Sequence, residues 1–125
     1  QAVIDAVAGI GGLVVMDEAY QPFASRSWIT RMKADPARNA HVLLMRTLSK
    51  FVSLAGVRCG LIVGAPELIE FAQVVLPPYT FPTPSIEFVQ QALSQDALRV
   101  SEERVATIKR ERERLRAALR DGAGR

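Results

Sequence analysis

One lysine lies among side chains that suit a phosphorylated ligand. Lys50 directly follows Ser49 and lies three residues after Thr47. An amine can attack a carbonyl carbon, and hydroxyls can bind phosphate oxygens. Asp17 adds a carboxylate, and Arg58 adds a guanidinium in a turn between glycines. Taken singly, each residue occurs more often in a structural role, such as a cap or a packed stem. The spacing therefore indicates a phosphate-ligand site without identifying the ligand.

Short apolar runs predict the strands that position these residues. They occupy residues 13–16, 41–45 and 60–63. Continuous apolar runs of this length are typical of strands buried on both faces of a parallel sheet. Asp17 follows the first run, and residues 46–50 leave the second as a loop. Because ligands lie beyond the carboxyl ends of such strands, we expect both segments at one edge of the sheet.

Helical patterns alternate with these strands. Helices are predicted over residues 1–8, 25–34, 67–75 and 85–93, and a long one opens at Asp96 or Ser101. The alternation indicates an α/β fold with a mostly parallel sheet flanked by helices. Four prolines predict a rigid extended connector between the third and fourth of these helices: Pro77, Pro78, Pro82 and Pro84.

Composition bounds the class of protein. The chain has 125 residues, of which 49% are hydrophobic, so it can bury a core. It begins at Gln1 inside an apolar pattern, which predicts an internal piece of a longer protein; a complete small domain is the alternative. The lone Cys59 excludes an internal disulfide and a Cys-based zinc site, and it fits the cytoplasm. With one histidine, His41, no metal site is expected, and no apolar run is long enough for a membrane span.

Basic residues are concentrated near the C-terminus, although the net charge is only +3. Glutamates interrupt the arginines, and no aromatic side chains alternate with them. This pattern predicts a solvated helix face and no binding of nucleic acid.

Two motifs carry a resemblance to a known family. The segment RTLSKFVSLAGVRCGLIVG, Arg46 to Gly64, closely resembles the lysine region of the histidinol-phosphate aminotransferases, which belong to the fold-type I family that uses pyridoxal 5'-phosphate (PLP). VVMDEAYQPFA, Val14 to Ala24, resembles that family's aspartate–tyrosine segment, and a weaker match runs from Pro77 to Ser85. The resemblance implies part of the aspartate aminotransferase-like large domain.

The resemblance also implies a role for each matching residue. Lys50 matches the catalytic lysine that holds PLP as a Schiff base. Asp17 matches the carboxylate that faces the pyridine nitrogen, and Tyr20 matches the tyrosine that hydrogen-bonds the ring's 3-oxygen. Three further residues match phosphate ligands or their support: Thr47, Ser49 and Arg58.

The family function implied is amino transfer between histidinol phosphate and 2-oxoglutarate in histidine biosynthesis. Its partners are an amino donor and a 2-oxo acid, and the full-length enzyme is expected to be a homodimer. Residues 1–97 resemble part of the PLP-binding large domain, and residues 98–125 resemble the helix leading to a small domain. Because several family contacts lie outside this chain, we expect the piece to be inactive alone.

Other functions remain open from the sequence. A related fold-type I enzyme, such as an aromatic aminotransferase or a threonine-phosphate decarboxylase, would keep the same cofactor residues. A non-catalytic helical interaction module would use the apolar stripe of the last helix, and a basic helical nucleic-acid binder is the third hypothesis. Tyr79, in the proline-rich connector, is a further candidate to approach the site.

Overall fold

The structure, a computed structural model, describes residues 1–77 and 80–122, so Pro78 and Tyr79 lie outside the described residues. The described elements follow in chain order: α1 (Ala2–Gly9), β1 (Val14–Asp17), α2 (Ile29–Ala34), β2 (Val42–Thr47), α3 (Leu48–Phe51), β3 (Gly60–Val63), α4 (Pro66–Val75), α5 (Thr83–Ala92) and α6 (Gln95–Gly122). Two short 3-10 turns occupy Gln21–Phe23 and Ala55–Val57. The predicted α/β class is confirmed.

The three strands form one mixed sheet in the order β1-β2-β3. β1 and β2 are parallel, with Asp17 opposite Met45. β3 pairs with β2 in the antiparallel sense, with Thr47 opposite Gly60. The two ends of the short connection between β2 and β3 are joined by a hydrogen bond, since Leu48 N donates to Cys59 O at 3.1 Å. The chain therefore turns back beside β2 instead of crossing over the sheet. The expected parallel pairing therefore holds for β1 and β2 but not for β3.

Only one face of the sheet is well covered by the described residues. Val42 and Leu44 in β2 are fully buried. On the other face, Val15, Met45 and Ile62 are 56%, 44% and 40% exposed. The prediction that the first run is buried on both faces is therefore wrong for this chain, because Val15 lies on the face that the described residues leave open.

Two local predictions also need correction. Residues 46–50 do not form a loop: Arg46 and Thr47 extend β2, because β3 supplies ladder partners for them, and α3 begins at Leu48. Pro84 lies in the first turn of α5, where a proline needs no backbone donor, rather than in an extended connector.

The long helix α6 is buried only near its N-terminal half. Val105 and Ser101 are buried, whereas Ile108, Leu115 and Leu119 on the same predicted stripe are 51%, 54% and 72% exposed. The division of the chain at residue 98 stays a prediction, and that position lies in the first turn of α6. No helix in the described ranges has the length and apolar character needed to cross a membrane.

A buried asparagine fastens α2 to the start of β2. Asn39 is only 3% exposed. Its amide donates to Asp35 O at 2.8 Å and to Arg31 O at 3.3 Å, and its side-chain oxygen accepts from Trp28 Nε1 at 3.3 Å. The Asp35 carbonyl at the end of α2 thus gains a partner that the helix cannot supply itself, and Arg31 O, which already accepts from Asp35 N, gains a second one.

Replacing Asn39 with Ala should lower the free energy of unfolding by about 1–3 kcal/mol, because two carbonyls and an indole N–H lose a buried partner. Urea denaturation followed by the fluorescence of Trp28, the single tryptophan, measures this. Thr30→Ala, at an exposed position on α2, is the matched control. Equal stabilities of the two variants would contradict this role.

Candidate functional site

Asp17 lies at the carboxyl end of β1. Its Oδ1 accepts a hydrogen bond from Ala19 N at 2.9 Å, and the side chain is exposed. Alternate residues of a strand share a face, and Asp17 is in register with Met45. Thr47, two residues after Met45, therefore lies on the same face as Asp17. The two strand ends bring a carboxylate and a hydroxyl to one edge of the sheet.

The predicted lysine segment turns directly from β2 into α3. Thr47 Oγ1 caps α3 by accepting from Ser49 N at 3.1 Å, and it lies 3.0 Å from Ser49 Oγ. A threonine N-cap of this kind fixes the direction in which a helix begins. Lys50 lies in the first turn of α3, so the direction of its side chain depends on the Thr47 cap.

Lys50 meets a residue that comes from the other strand end. Its Nζ lies 5.5 Å from the centroid of the Tyr20 ring, within the range of a cation–π contact. Tyr20 follows Asp17 by three residues, and its side chain is 63% exposed. Two residues predicted to bind one cofactor, Lys50 and Tyr20, are therefore in contact although thirty positions separate them.

Arg58 is held apart from these residues. It has a left-handed backbone with φ of +55°, and its Nη1 donates to Ala55 O at 3.1 Å within the same turn. Arg58 lines a cavity of about 460 Å³ with Met45 and Gly60. Asp17 and Tyr20 line a different cavity of about 320 Å³. Parts of the predicted site are thus assembled, but Arg58 lines a different cavity from Asp17 and Tyr20.

The exposed donor set fits a PLP-type cofactor. In the described ranges, Lys50 Nζ donates no hydrogen bond to protein and forms no ion pair, and Asp17 Oδ2 accepts no hydrogen bond. A free amine, an available carboxylate oxygen and two hydroxyls are groups that such a cofactor requires. Among the same residues, no cluster of three His, Cys, Asp or Glu side chains could hold a metal ion.

The sequence reasoning missed an ion pair behind this site. Glu18 Oε2 accepts from Arg46 Nη2 at 3.0 Å and from Nε at 3.2 Å. Their side chains are only 10% and 28% exposed, respectively. The sequence could have indicated this pair by position. Its two opposite charges lie next to predicted ligands, at the ends of two neighbouring predicted strands.

The surroundings of Glu18 shift its acidity. Burial raises the pKa of this carboxyl, but hydrogen bonds from Trp28 N, Ser27 Oγ and Arg46, with the positive charge of Arg46, outweigh burial. The pKa of Glu18 therefore lies below its ordinary value of 4.5. The side chain is an anion at neutral pH.

Comparisons with known proteins give a consistent result. A family model for aminotransferase class I and II matches residues 1–124. The chain is 53% identical over 120 residues to a histidinol-phosphate aminotransferase of Paracidovorax citrulli. The aligned segment makes up 96% of this chain and 32% of that protein. For the corresponding protein of Methylibium petroleiphilum, identity is 47% over 124 residues, covering 99% and 32%. For that of Acidovorax sp. (strain JS42), it is 65% over 79 residues, covering 63% and 21%. The chain thus spans about a third of the length of the curated relatives it matches along most of its own length.

The lowered pKa of Glu18 predicts an acid-dependent loss of stability. A carboxylate whose pKa is depressed by folding stabilises the protein above its unfolded-state pKa, and this contribution is lost as the pH falls through the folded pKa. The free energy of unfolding should therefore fall less steeply for Glu18→Gln than for the wild type between about pH 6 and pH 3. Urea denaturation across this range measures the difference. Parallel curves would mean that Glu18 does not carry the effect.

Proposed function

We propose a function for this chain from the premise that it belongs to the class I and II aminotransferase family. It forms part of the PLP-binding domain of a longer enzyme that transfers an amino group between histidinol phosphate and 2-oxoglutarate in histidine biosynthesis. The contact between Lys50 Nζ and the Tyr20 ring, at 5.5 Å, carries this proposal. It joins the lysine motif to the aspartate–tyrosine motif at one edge of the sheet.

Each site residue has a distinct task in this proposal. Lys50 holds the cofactor covalently, Asp17 faces its ring nitrogen, and Tyr20 hydrogen-bonds its ring oxygen. The phosphate is bound by hydroxyls and a guanidinium from the β2–β3 connection: Thr47, Ser49 and Arg58. Once bound, PLP supplies an electron sink that stabilises negative charge on the substrate carbon.

The chain's own groups then move the proton and hold the charges. Lys50 would hold the cofactor and, with its amine free, would take the proton from the α-carbon of the amino donor; in the second half of the transfer it would give a proton to the α-carbon of the 2-oxo acid. The negative charge of Asp17 keeps a proton on the ring nitrogen through electrostatic attraction. Because Asp17 ends β1 and Lys50 lies in α3, directly after β2, the parallel pairing of β1 and β2 sets their separation.

Further parts of the enzyme lie beyond this chain in the proposal. The site residues Asp17, Tyr20 and Lys50 are exposed, whereas a proton-transfer site must exclude water. Two partners would cover them: the rest of a longer protein and a second copy in a homodimer. We place the enzyme in the cytoplasm, where the single thiol of Cys59 stays reduced.

Lys50→Ala should abolish covalent attachment of PLP. Borohydride reduction of the full-length protein with PLP, followed by peptide mass spectrometry, should place the label on residue 50 in the wild type and nowhere in the variant. Lys33→Ala, which removes an exposed lysine of α2, should label like the wild type. Label on another lysine, or equal labelling of Lys50→Ala, would refute the assignment.

Asp17→Ala should lower kcat for amino transfer from histidinol phosphate to 2-oxoglutarate by about 10²–10³-fold or more, because a charge that acts on the reacting system is removed. Asp121→Asn, at the exposed end of α6, should leave kcat unchanged. A mild loss in Asp17→Ala would mean that Asp17 has only a structural role. Faster transfer from an aromatic amino acid, or decarboxylation of threonine phosphate, would instead favour a related enzyme of the family.

A further inference from the structure

The ion pair between Glu18 and Arg46 connects the two strands that carry the proposed ligands. Glu18 directly follows Asp17, and Arg46 directly precedes Thr47. The backbone supports the same junction, because Glu18 N donates to Met45 O at 2.8 Å. Any change in the separation of Glu18 and Arg46 therefore moves the neighbouring ligands. We call these two residues the strand-end clamp.

A third segment closes around the strand-end clamp. Ser27 Oγ lies 2.8 Å from Glu18 Oε2 and 2.7 Å from Arg46 Nη2. Trp28 N donates to the other carboxylate oxygen of Glu18. Both oxygens of Glu18 are engaged, so its side chain is held in one orientation. The loop before α2 is thereby fastened to the ends of β1 and β2.

Burial sets the strand-end clamp apart from the other ion pairs. Among the described residues, it is the one ion pair in which both side chains are less than a third exposed. Desolvation makes a buried pair a weak source of net stability, whereas loss of one partner leaves an uncompensated charge. Its clearest physical consequence is therefore a fixed geometry between the groups it joins.

Along β1 and β2, the residues of the strand-end clamp alternate with two of the proposed ligands, Asp17 and Thr47. Successive residues of a strand point to opposite faces, so Arg46 lies opposite to Thr47, and Glu18 continues β1 beyond Asp17. Glu18 and Arg46 line a cavity of about 500 Å³ together with Thr47 and Val105, and Glu18 also lines the cavity of Asp17 and Tyr20. Because Ser27, Trp28 and Arg46 already engage both oxygens of Glu18, the strand-end clamp can set the position of the ligands through the two strand ends.

We propose that Glu18 and Arg46 are positioning residues, which fix the carboxylate of Asp17 relative to Thr47 and Lys50 and so orient the bound cofactor. This inference rests on the proposed function and deepens it. In this inference the strand-end clamp acts through the spacing of the two strand ends.

The experiment compares variants of the full-length protein. Glu18→Gln and Arg46→Met each break the pair, and the double variant completes a mutant cycle. Arg46→Lys is the conservative variant, since it keeps the positive charge but loses the fork of donors. Asn39→Ala is the matched control for lost buried hydrogen bonds, because it removes those to Asp35 O, Arg31 O and Trp28 Nε1 but none that Glu18 or Arg46 makes. Each protein is titrated with PLP below its unfolding temperature.

Two quantities distinguish positioning from simple stability. Glu18→Gln and Arg46→Met should each raise the Kd for PLP about tenfold, as expected for the loss of one hydrogen bond to a charged group. At saturating PLP they should also alter the induced circular dichroism of the cofactor band per bound molecule, which reports orientation. The double variant should be no worse than either single variant, and Arg46→Lys should recover part of the affinity.

Each outcome decides the proposal. If Asn39→Ala produces the same changes, or if the clamp variants bind PLP with wild-type affinity and circular dichroism, Glu18 and Arg46 are only structural and the inference is overturned. Purely additive effects in the double variant would also overturn it. A wild-type protein that takes up no PLP on Lys50 refutes the proposed function, and the positioning role with it. If Arg46→Met fails to fold, Arg46→Lys and Glu18→Gln carry the comparison.

Discussion

The parallel pairing of β1 with β2 is the constraint on which the candidate site depends. It places Asp17 in register with Met45 and brings Tyr20 to the Lys50 amine. The members of each pair are far apart in the sequence, so only the pairing of the two strands can hold them together. Backbone hydrogen bonds set the distance between the strands at about 4.8 Å, and this spacing is hard to change. Side chains such as Glu18 then determine how the strand ends are oriented within it.

The same sheet explains why the chain leaves so much apolar surface exposed. One face packs around Val42 and Leu44, whereas Val15, Met45 and Ile62 lie in the open on the other. A soluble monomer rarely exposes a continuous apolar surface of this kind. The proposal that the chain works within a longer, dimeric enzyme accounts for this face, since additional elements would bury it. It also accounts for the exposed distal half of α6, where Leu115 and Leu119 are 54% and 72% exposed.

The sequence predicted the elements better than their arrangement. The run at residues 60–63 identified β3 with its correct ends, because apolar continuity is a local property. Its antiparallel direction was missed, because that depends on how Leu48 N and Cys59 O close the connection in space. The Glu18–Arg46 pair was missed for a similar reason, because a contact between charges at two strand ends can be predicted only when the register of the strands is known. Asp17, Tyr20 and Lys50 could be predicted as site residues because their motifs resemble those of a family. The spacing of the residues alone indicated no more than a phosphate-ligand site.

Arg58 shows how a residue can suit the proposed role without yet facing the site. Its left-handed backbone is unusual for a side chain with a Cβ, and the surrounding turn must maintain it. The side chain, by contrast, is held by a single exposed hydrogen bond to Ala55 O, worth about 1 kcal/mol net. A paired hydrogen bond between a guanidinium and a phosphate is roughly twice as strong per contact. In the proposed enzyme, Arg58 would therefore exchange the Ala55 carbonyl for the phosphate as its partner, while the surrounding turn holds its backbone in place.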